Sequence, residues 1–225
     1  MELVAHRGAN WHFPENSLPA FRRALQDGAN ILEMDVQCTK DNQVVVCHDD
    51  IWRGKKIAKT AYEALEKGLP LLKEVIEAFP NSKLNVDIKA PDIRAVYLTV
   101  DIIRNAHAEN RVCLASFHWE VHRWLKDIQY EGERGLSWQQ IIMIFFLPRF
   151  TLETINWHKR RVQVPLGYGL IRFDSAYFIK KCHQLRLPVD YWVINNLEIA
   201  QKLKKLSADR IMTDDPATLA PLGSA

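Results

Sequence analysis

Between residues 6 and 49 the chain concentrates groups that can do chemistry. They read His6-Arg7-Gly8, Pro14-Glu15-Asn16-Ser17, Glu33-Met34-Asp35-Val36, Thr39-Lys40-Asp41 and His48-Asp49. The histidines and carboxylates among them sit where apolar runs end. Carboxylate oxygens suit a hard divalent cation. Two imidazoles can carry protons near neutral pH. Arg7 offers a planar fork to phosphate oxygens. Such a set suits attack on a phosphate ester, whose transition state needs cations and proton carriers together.

Glu33 and Asp35 share one face of the segment Ile31–Val36, because successive strand residues point to opposite sides. Leu32, Met34 and Val36 take the other face. The pattern returns in residues 84–89, where Asn85, Asp87 and Lys89 share a face. A parallel strand is buried on both sides, so an inward carboxylate needs a partner. Glu33, Asp35 and Asp87 would repel one another without a cation. All are oxygen ligands, and no Cys or His pair stands at zinc spacing, which favours Mg²⁺ or Ca²⁺. Lys89 adds a cation beside Asp87. A solvent-wetted polar face is the plainer reading of one acidic pair; burial of a parallel strand on both sides weakens that reading here.

Elements that could position these groups follow from the hydrophobic pattern. Short β-rich runs alternate with helical periodicity along the whole chain. Strands are expected at Leu3–Ala5, Ile31–Val36, Leu84–Ile88, Val112–Ala115, from Gly135–Leu136, and at Val162–Val164, Val189–Ile194 and Arg210–Met212. After the second, a turn at Asp41-Asn42 leads into an antiparallel return strand, Val44–Cys47. Helices lie between, one capped by Ser17 and stopped by Gly28, another stopped at Pro80, another capped by Asp174-Ser175. Residues 138–158 read as two helical pieces broken at Pro148. Eight strands in alternation predict an α/β fold, a closed (β/α)8 TIM barrel with its site at the C-terminal mouth. An open doubly wound sheet lacks the Gly-rich loop that would support it.

The chain's 225 residues, 48% hydrophobic, suffice for one domain over residues 1–225 with a large core. No repeat, linker or low-complexity tract divides it. Net charge is +3, and the basic residues are scattered, which argues against nucleic acid as a partner. The longest apolar run, Ile141–Leu147, is far short of the ~20 residues of a membrane span. No export signal leads the chain. Cys38 and Cys47 stand three residues out of pairing register, roughly 10 Å apart, beyond disulfide reach. Four reduced, mostly buried thiols in a cytoplasmic protein are expected.

With these residues assembled, the string HRG…PENSLPAFRRAL…LEMDVQCTKD…VVVCHD resembles the glycerophosphodiester phosphodiesterase family. The similarity continues at Asn85–Lys89, Ser116-Phe117, Val162–Pro165, Tyr191–Asn195 and Arg210–Pro216, covering essentially the whole chain. It implies a TIM barrel that cleaves glycerophosphodiesters to glycerol 3-phosphate and an alcohol, with a divalent metal as cofactor. By position, His6 and His48 match the acid/base pair, Glu33, Asp35 and Asp87 the metal ligands, and Arg7 and Lys89 the phosphate-binding cations. In the family scheme the glycerol 2-hydroxyl attacks phosphorus and water then opens a cyclic phosphate. Either histidine fits either role.

There are two departures. The family's third ligand is usually Glu, and Asp87 is shorter by roughly 1.5 Å. The segment after His48 is also a reduced form of the family insertion, with only a weak helix expected in residues 50–68. Trp192 is a candidate substrate contact at the mouth, and Glu15, Phe117 and Asn195 are further candidates. Trp11, His12 and Trp52 are candidate rim residues; His107, His122, His158 and His183 are expected on helix surfaces. The run Ile141–Leu147 reads first as a buried barrel helix. Its sharper reading is a lip for an acyl chain or transient membrane-surface contact, as a lysophospholipase D would need. Rival classes are a Mg²⁺-dependent barrel lyase or aldolase and a non-catalytic interaction barrel. The two histidines beside Arg7 disfavour both.

Overall fold

The computed structural model describes residues 1–65 and 68–223. Eight parallel strands form its centre: β1 Glu2–Ala5, β2 Ile31–Cys38, β3 Lys83–Ile88, β4 Val112–Ala115, β5 Glu133–Gly135, β6 Arg160–Val164, β7 Val189–Tyr191 and β8 Arg210–Thr213. Each pairs with its sequence neighbours. Because β1 pairs with both β2 and β8, the sheet has no open edge and the barrel is closed. Helices fill the connections: α1 Leu18–Gln26, α2 Leu72–Ala78, α3 Ile93–Asn105, α4 Trp119–Asp127, α5 Trp138–Phe146, α6 Arg149–Leu152, α7 Ala176–Gln184, α8 Leu197–Lys205 and α9 Pro216–Leu219. This is a (β/α)8 TIM barrel.

The alternation read from β2 and β3 decides where its side chains go. Leu32, Met34, Val36, Leu84, Val86 and Ile88 point outward into one apolar cluster with α1, α2 and α3. Their polar alternates are left to the interior. Register aligns Glu33 with Asn85 and Asp35 with Asp87, so two strands offer two matched polar levels. The return strand Val44–Val46 pairs antiparallel with β2, Cys38 opposite Val44. Running back down β2, it brings Cys47 to a hydrogen bond with the Asp35 carbonyl (2.9 Å) and delivers His48 at that level.

Some expectations are adjusted. The fifth strand begins earlier, at Glu133, and the seventh ends at Tyr191. The reduced insertion holds no α-helix among its described residues; it folds as a hairpin, Ile51–Trp52 with Lys55–Lys56, and two 3-10 turns. Buried Ile57 and Leu65 anchor it on Val45. Helix α5 is buried along Ile141 and Ile144, while Phe146 is 66% exposed, so the apolar run is not buried throughout. His122 is buried, not on the surface, because its Nε2 bonds the Ser116 carbonyl (2.7 Å). All four cysteines are free and buried. Among the described residues no helix is long and apolar enough to cross a membrane. Ser224 and Ala225, read from sequence as a frayed end, lie outside the described residues.

Candidate active site

A cavity of about 300 Å³ opens at the C-terminal ends of the strands. His6, Arg7, Glu33, Asp35, His48, Asp87, Lys89, Phe117 and Trp192, nine of the sequence candidates, all line it. Glu15 and Asn195 do not; Glu15 braces Arg7, which does, and Asn195 holds Asp214, the partner of His6.

The turn after β1 explains the first motif. Arg7 (φ 58°) and Gly8 (φ 84°) both take left-handed conformations. At Gly8 a Cβ would stand 2.7 Å from Ala20, so a side chain is excluded. The turn aims the Arg7 amide at Glu33 Oε2, 2.9 Å away. Arg7 Nη1 donates to both Glu15 oxygens (3.0 and 3.2 Å), and Nε stands 3.0 Å from Asp35 Oδ2, off the hydrogen-bond axis. Asn16, also left-handed (φ 56°), clamps Asp35 twice: its Nδ2 donates to Oδ2 (3.0 Å) and its Oδ1 accepts from the Asp35 amide (3.2 Å). The Pro-Glu-Asn segment therefore orients a cation and an anion of the mouth.

Lys89 bridges the two aspartates, 3.0 Å from Asp35 Oδ1 and 2.9 Å from Asp87 Oδ2. Each histidine has a carboxylate on Nδ1: Asp214 on His6 at 2.7 Å, Asp49 on His48 at 2.8 Å. That leaves both Nε2 atoms for a substrate, the arrangement that sets tautomer and ring orientation in acid–base catalysts. Asp214 is itself held by Asn10 Nδ2 and Asn195 Nδ2, both at 2.7 Å. Gln37 Nε2 donates to the His48 carbonyl (3.0 Å), fixing the second ring's backbone. Phe117 and Trp192 meet edge to face with centroids 5.6 Å apart on the far rim.

The model of the glycerophosphoryl diester phosphodiesterase family matches residues 6–218, which span every one of these groups. The chain belongs to that family. It is a phosphoric diester hydrolase. YhdW of Bacillus subtilis (strain 168) is 52% identical over 240 residues, covering 96% of this chain and 95% of that protein. A glycerophosphodiester phosphodiesterase of Caldanaerobacter subterraneus subsp. tengcongensis is 26% identical over 244 residues, covering 98% and 96%. An Oleispira antarctica phosphodiesterase, solved with the product sn-glycerol-3-phosphate, superposes with a TM-score of 0.78 at 20% identity, covering 98% and 96%.

Electrostatics in this phosphodiesterase-family mouth are unbalanced. Burial, then repulsion from Asp35 and Asp87, pushes the Glu33 carboxyl well above the carboxylate range; the Arg7 amide only partly offsets this. Burial also raises Asp87, against the pull of Lys89. Asp214 goes the other way. Burial would raise it, but hydrogen bonds from His6, Asn195 and Asn10 outweigh that and hold it at about 2. Among the described residues no three Asp, Glu, His or Cys side chains already form a metal cage. The donor set still suits a hard dication: three oxygen ligands, with Glu33 held by a single backbone amide and crowded by like charge.

Asp214, Asn10 and Gln37 escaped the sequence reading. Asp214 stands within the stretch Arg210–Pro216, yet nothing local distinguishes it from Asp215, which caps α9. Trp11 and His12 are exposed and Trp52 is half-buried; none lines the cavity.

Proposed function

We propose that the chain hydrolyses glycerophosphodiesters to glycerol 3-phosphate and an alcohol, with His6 and His48 as the proton carriers. One observation carries the reading: two carboxylate-anchored imidazoles share one cavity with Arg7, Lys89 and three crowded carboxylates. One imidazole Nε2 takes the proton of the glycerol 2-hydroxyl as that oxygen bonds phosphorus. The other protonates the departing alcohol oxygen, so the P–O bond breaks without releasing an alkoxide. In the second half the roles reverse: water loses a proton as it attacks the cyclic phosphate, and the 2-oxygen regains one. Arg7 and Lys89 hold the phosphoryl oxygens throughout. Glu33, Asp35 and Asp87 would hold Mg²⁺ or Ca²⁺, which when bound supplies further positive charge beside the phosphate.

A second reading, hydrolysis of acyl-bearing diesters as by a lysophospholipase D, is favoured by the cavity's other wall. Leu136, Trp138 and Ile141 line it, and Trp138 meets exposed Tyr168 edge to face (centroids 5.1 Å). The test is glycerol 3-phosphate release from glycerophosphocholine, measured with Mg²⁺, with Ca²⁺ and with chelator, beside choline release from lysophosphatidylcholine. Metal-dependent release of glycerol 3-phosphate is expected. Faster turnover of the acylated substrate reverses the ranking, and inertness toward every diester refutes both readings.

A further inference from the structure

Six buried side-chain polar atoms among the described residues lack a hydrogen-bond partner, and four of them belong to three neighbouring residues outside the mouth. They are Arg134 Nε and Nη1, Arg160 Nη1 and His122 Nδ1. Arg134 and Arg160 are register partners on β5 and β6. Strand alternation sends both outward, away from Glu133 and Arg161, which bond each other inside the barrel. His122 reaches the same place from α4, its Nε2 already committed to the Ser116 carbonyl.

Two adjacent guanidiniums normally recruit a carboxylate. Among the described residues none acts on either of these. Burial and the neighbouring Arg134 push Arg160 down to about 10, and burial also lowers Arg134. The positive charge grows at the surface, where Arg160 and His122 line a groove of about 430 Å³ with Arg123 and Lys126 of α4 and Gln139 and Gln140 of α5. The N-terminus of α5, nine residues long, faces the same groove and adds the positive end of its dipole. Arg123, stacked over Trp119 at 5.0 Å, remains available on the rim. The groove thus combines the guanidinium of Arg160, which has no carboxylate beside it among the described residues, two exposed cations and a helix N-terminus, the mixture that tetrahedral oxyanions bind.

We propose that the α4–α5 groove is a second anion site, distinct from the mouth, which binds the phosphate group of inorganic phosphate or of a small monoester. Arg160 supplies the inner guanidinium, with the charge of Arg134 behind it, while Arg123 and Lys126 close over the outer oxygens.

Equilibrium dialysis with inorganic phosphate tests this in a background whose mouth cations are removed, R7A/K89A. That variant retains one phosphate per chain, and adding R160Q weakens it by at least roughly tenfold, the loss expected for one charge-assisted donor pair. Should R7A/K89A not fold, the same R160Q change in the wild-type chain removes one bound phosphate. Phosphate also raises the melting temperature of wild type but less that of R160Q, and diester turnover in chloride buffer is the same for both. A second arm with glycerol 3-phosphate separates the sources: tighter binding than inorganic phosphate identifies a monoester. No binding in the folded R7A/K89A variant, or equal binding with and without Arg160, overturns the proposal and leaves a groove that holds only water.

Discussion

Two charged clusters occupy the barrel interior, one at each end, and they are built on opposite terms. At the N-terminal ends of the strands, three acids meet three cations. Arg161 is bidentate to Asp190 (2.6 and 2.8 Å) and reaches Glu133 (3.1 Å); Arg210 bonds Glu2 (2.8 Å) and Glu133 (3.4 Å); Lys83 bonds Glu2 (2.6 Å). Every charge there is matched. At the mouth, the permanent cations that Glu33, Asp35 and Asp87 face among the described residues are Arg7 and Lys89, and Arg7 is shared with Glu15. A matched network has no unmet charge to offer a ligand. An unmatched one keeps some of its field for whatever binds. Gln163 links the two layers, donating to Asn85 (2.9 Å) above and toward Asp190 (3.4 Å) below.

The contrast can be broken from either end. Replacing His6 or His48 with Ala should lower turnover by ~10²–10⁴-fold while the unfolding midpoint holds, since general acid–base groups carry about that much. A near-wild-type rate in either variant would remove the imidazoles from the chemistry. At the other end, Asp190→Ala leaves the buried Arg161 guanidinium without its main partner. Denaturant unfolding should show a loss of ~3–5 kcal/mol. A loss below about 1 kcal/mol would mean the base network is not the support described here.

Glu33→Gln sharpens the comparison further. It removes a carboxylate held in a repulsive place, so in chelator the variant should melt no lower than wild type. With Mg²⁺ or Ca²⁺ at about 100 times its Kd, wild type should gain about 2.7 kcal/mol, and the variant little of it. Equal metal responses would detach Glu33 from metal binding. The smallest effect concerns Asp214. Its folded pKa lies below its ordinary value, so its contribution to stability is present above about 3.8 and fades as pH falls toward 2. Melting curves of wild type and Asp214→Asn should therefore differ at neutral pH and converge across that acid window. A gap that persists unchanged through the window would assign the effect to something other than this carboxylate.

Much of this was legible in the residues, and the reasons differ by element. β2 and β3 announced themselves because a buried parallel strand with alternating carboxylates has few other uses. The return strand was readable from Asp41-Asn42 between the β-rich run of β2 and the valines 44–46. β5 was placed late because Glu133 and Arg134 look like surface residues; only pairing with β6 shows that one faces the interior and the other the helix layer. His122 was misplaced for a similar reason: a lone histidine on a charged helix reads as solvated until the Ser116 carbonyl is seen beneath it. Asn195 reads from sequence as a further candidate for substrate contact, whereas its amide holds Asp214.

The order of residues alone settled the barrel class, the inward face of β2 and β3, and the histidine, arginine and carboxylate types that a phosphodiester requires. Those depend on period-two alternation and on side-chain chemistry, both local properties. His48 finds its carboxylate in the next residue, but the partner of His6 was decided only by closure of the barrel. Asp214 meets His6 across 208 positions of chain, and Arg161 meets Asp190 across 29. No local pattern encodes such meetings: the first arises when the first and eighth strands pair and the ring brings its ends together, the second when β6 and β7 lie side by side.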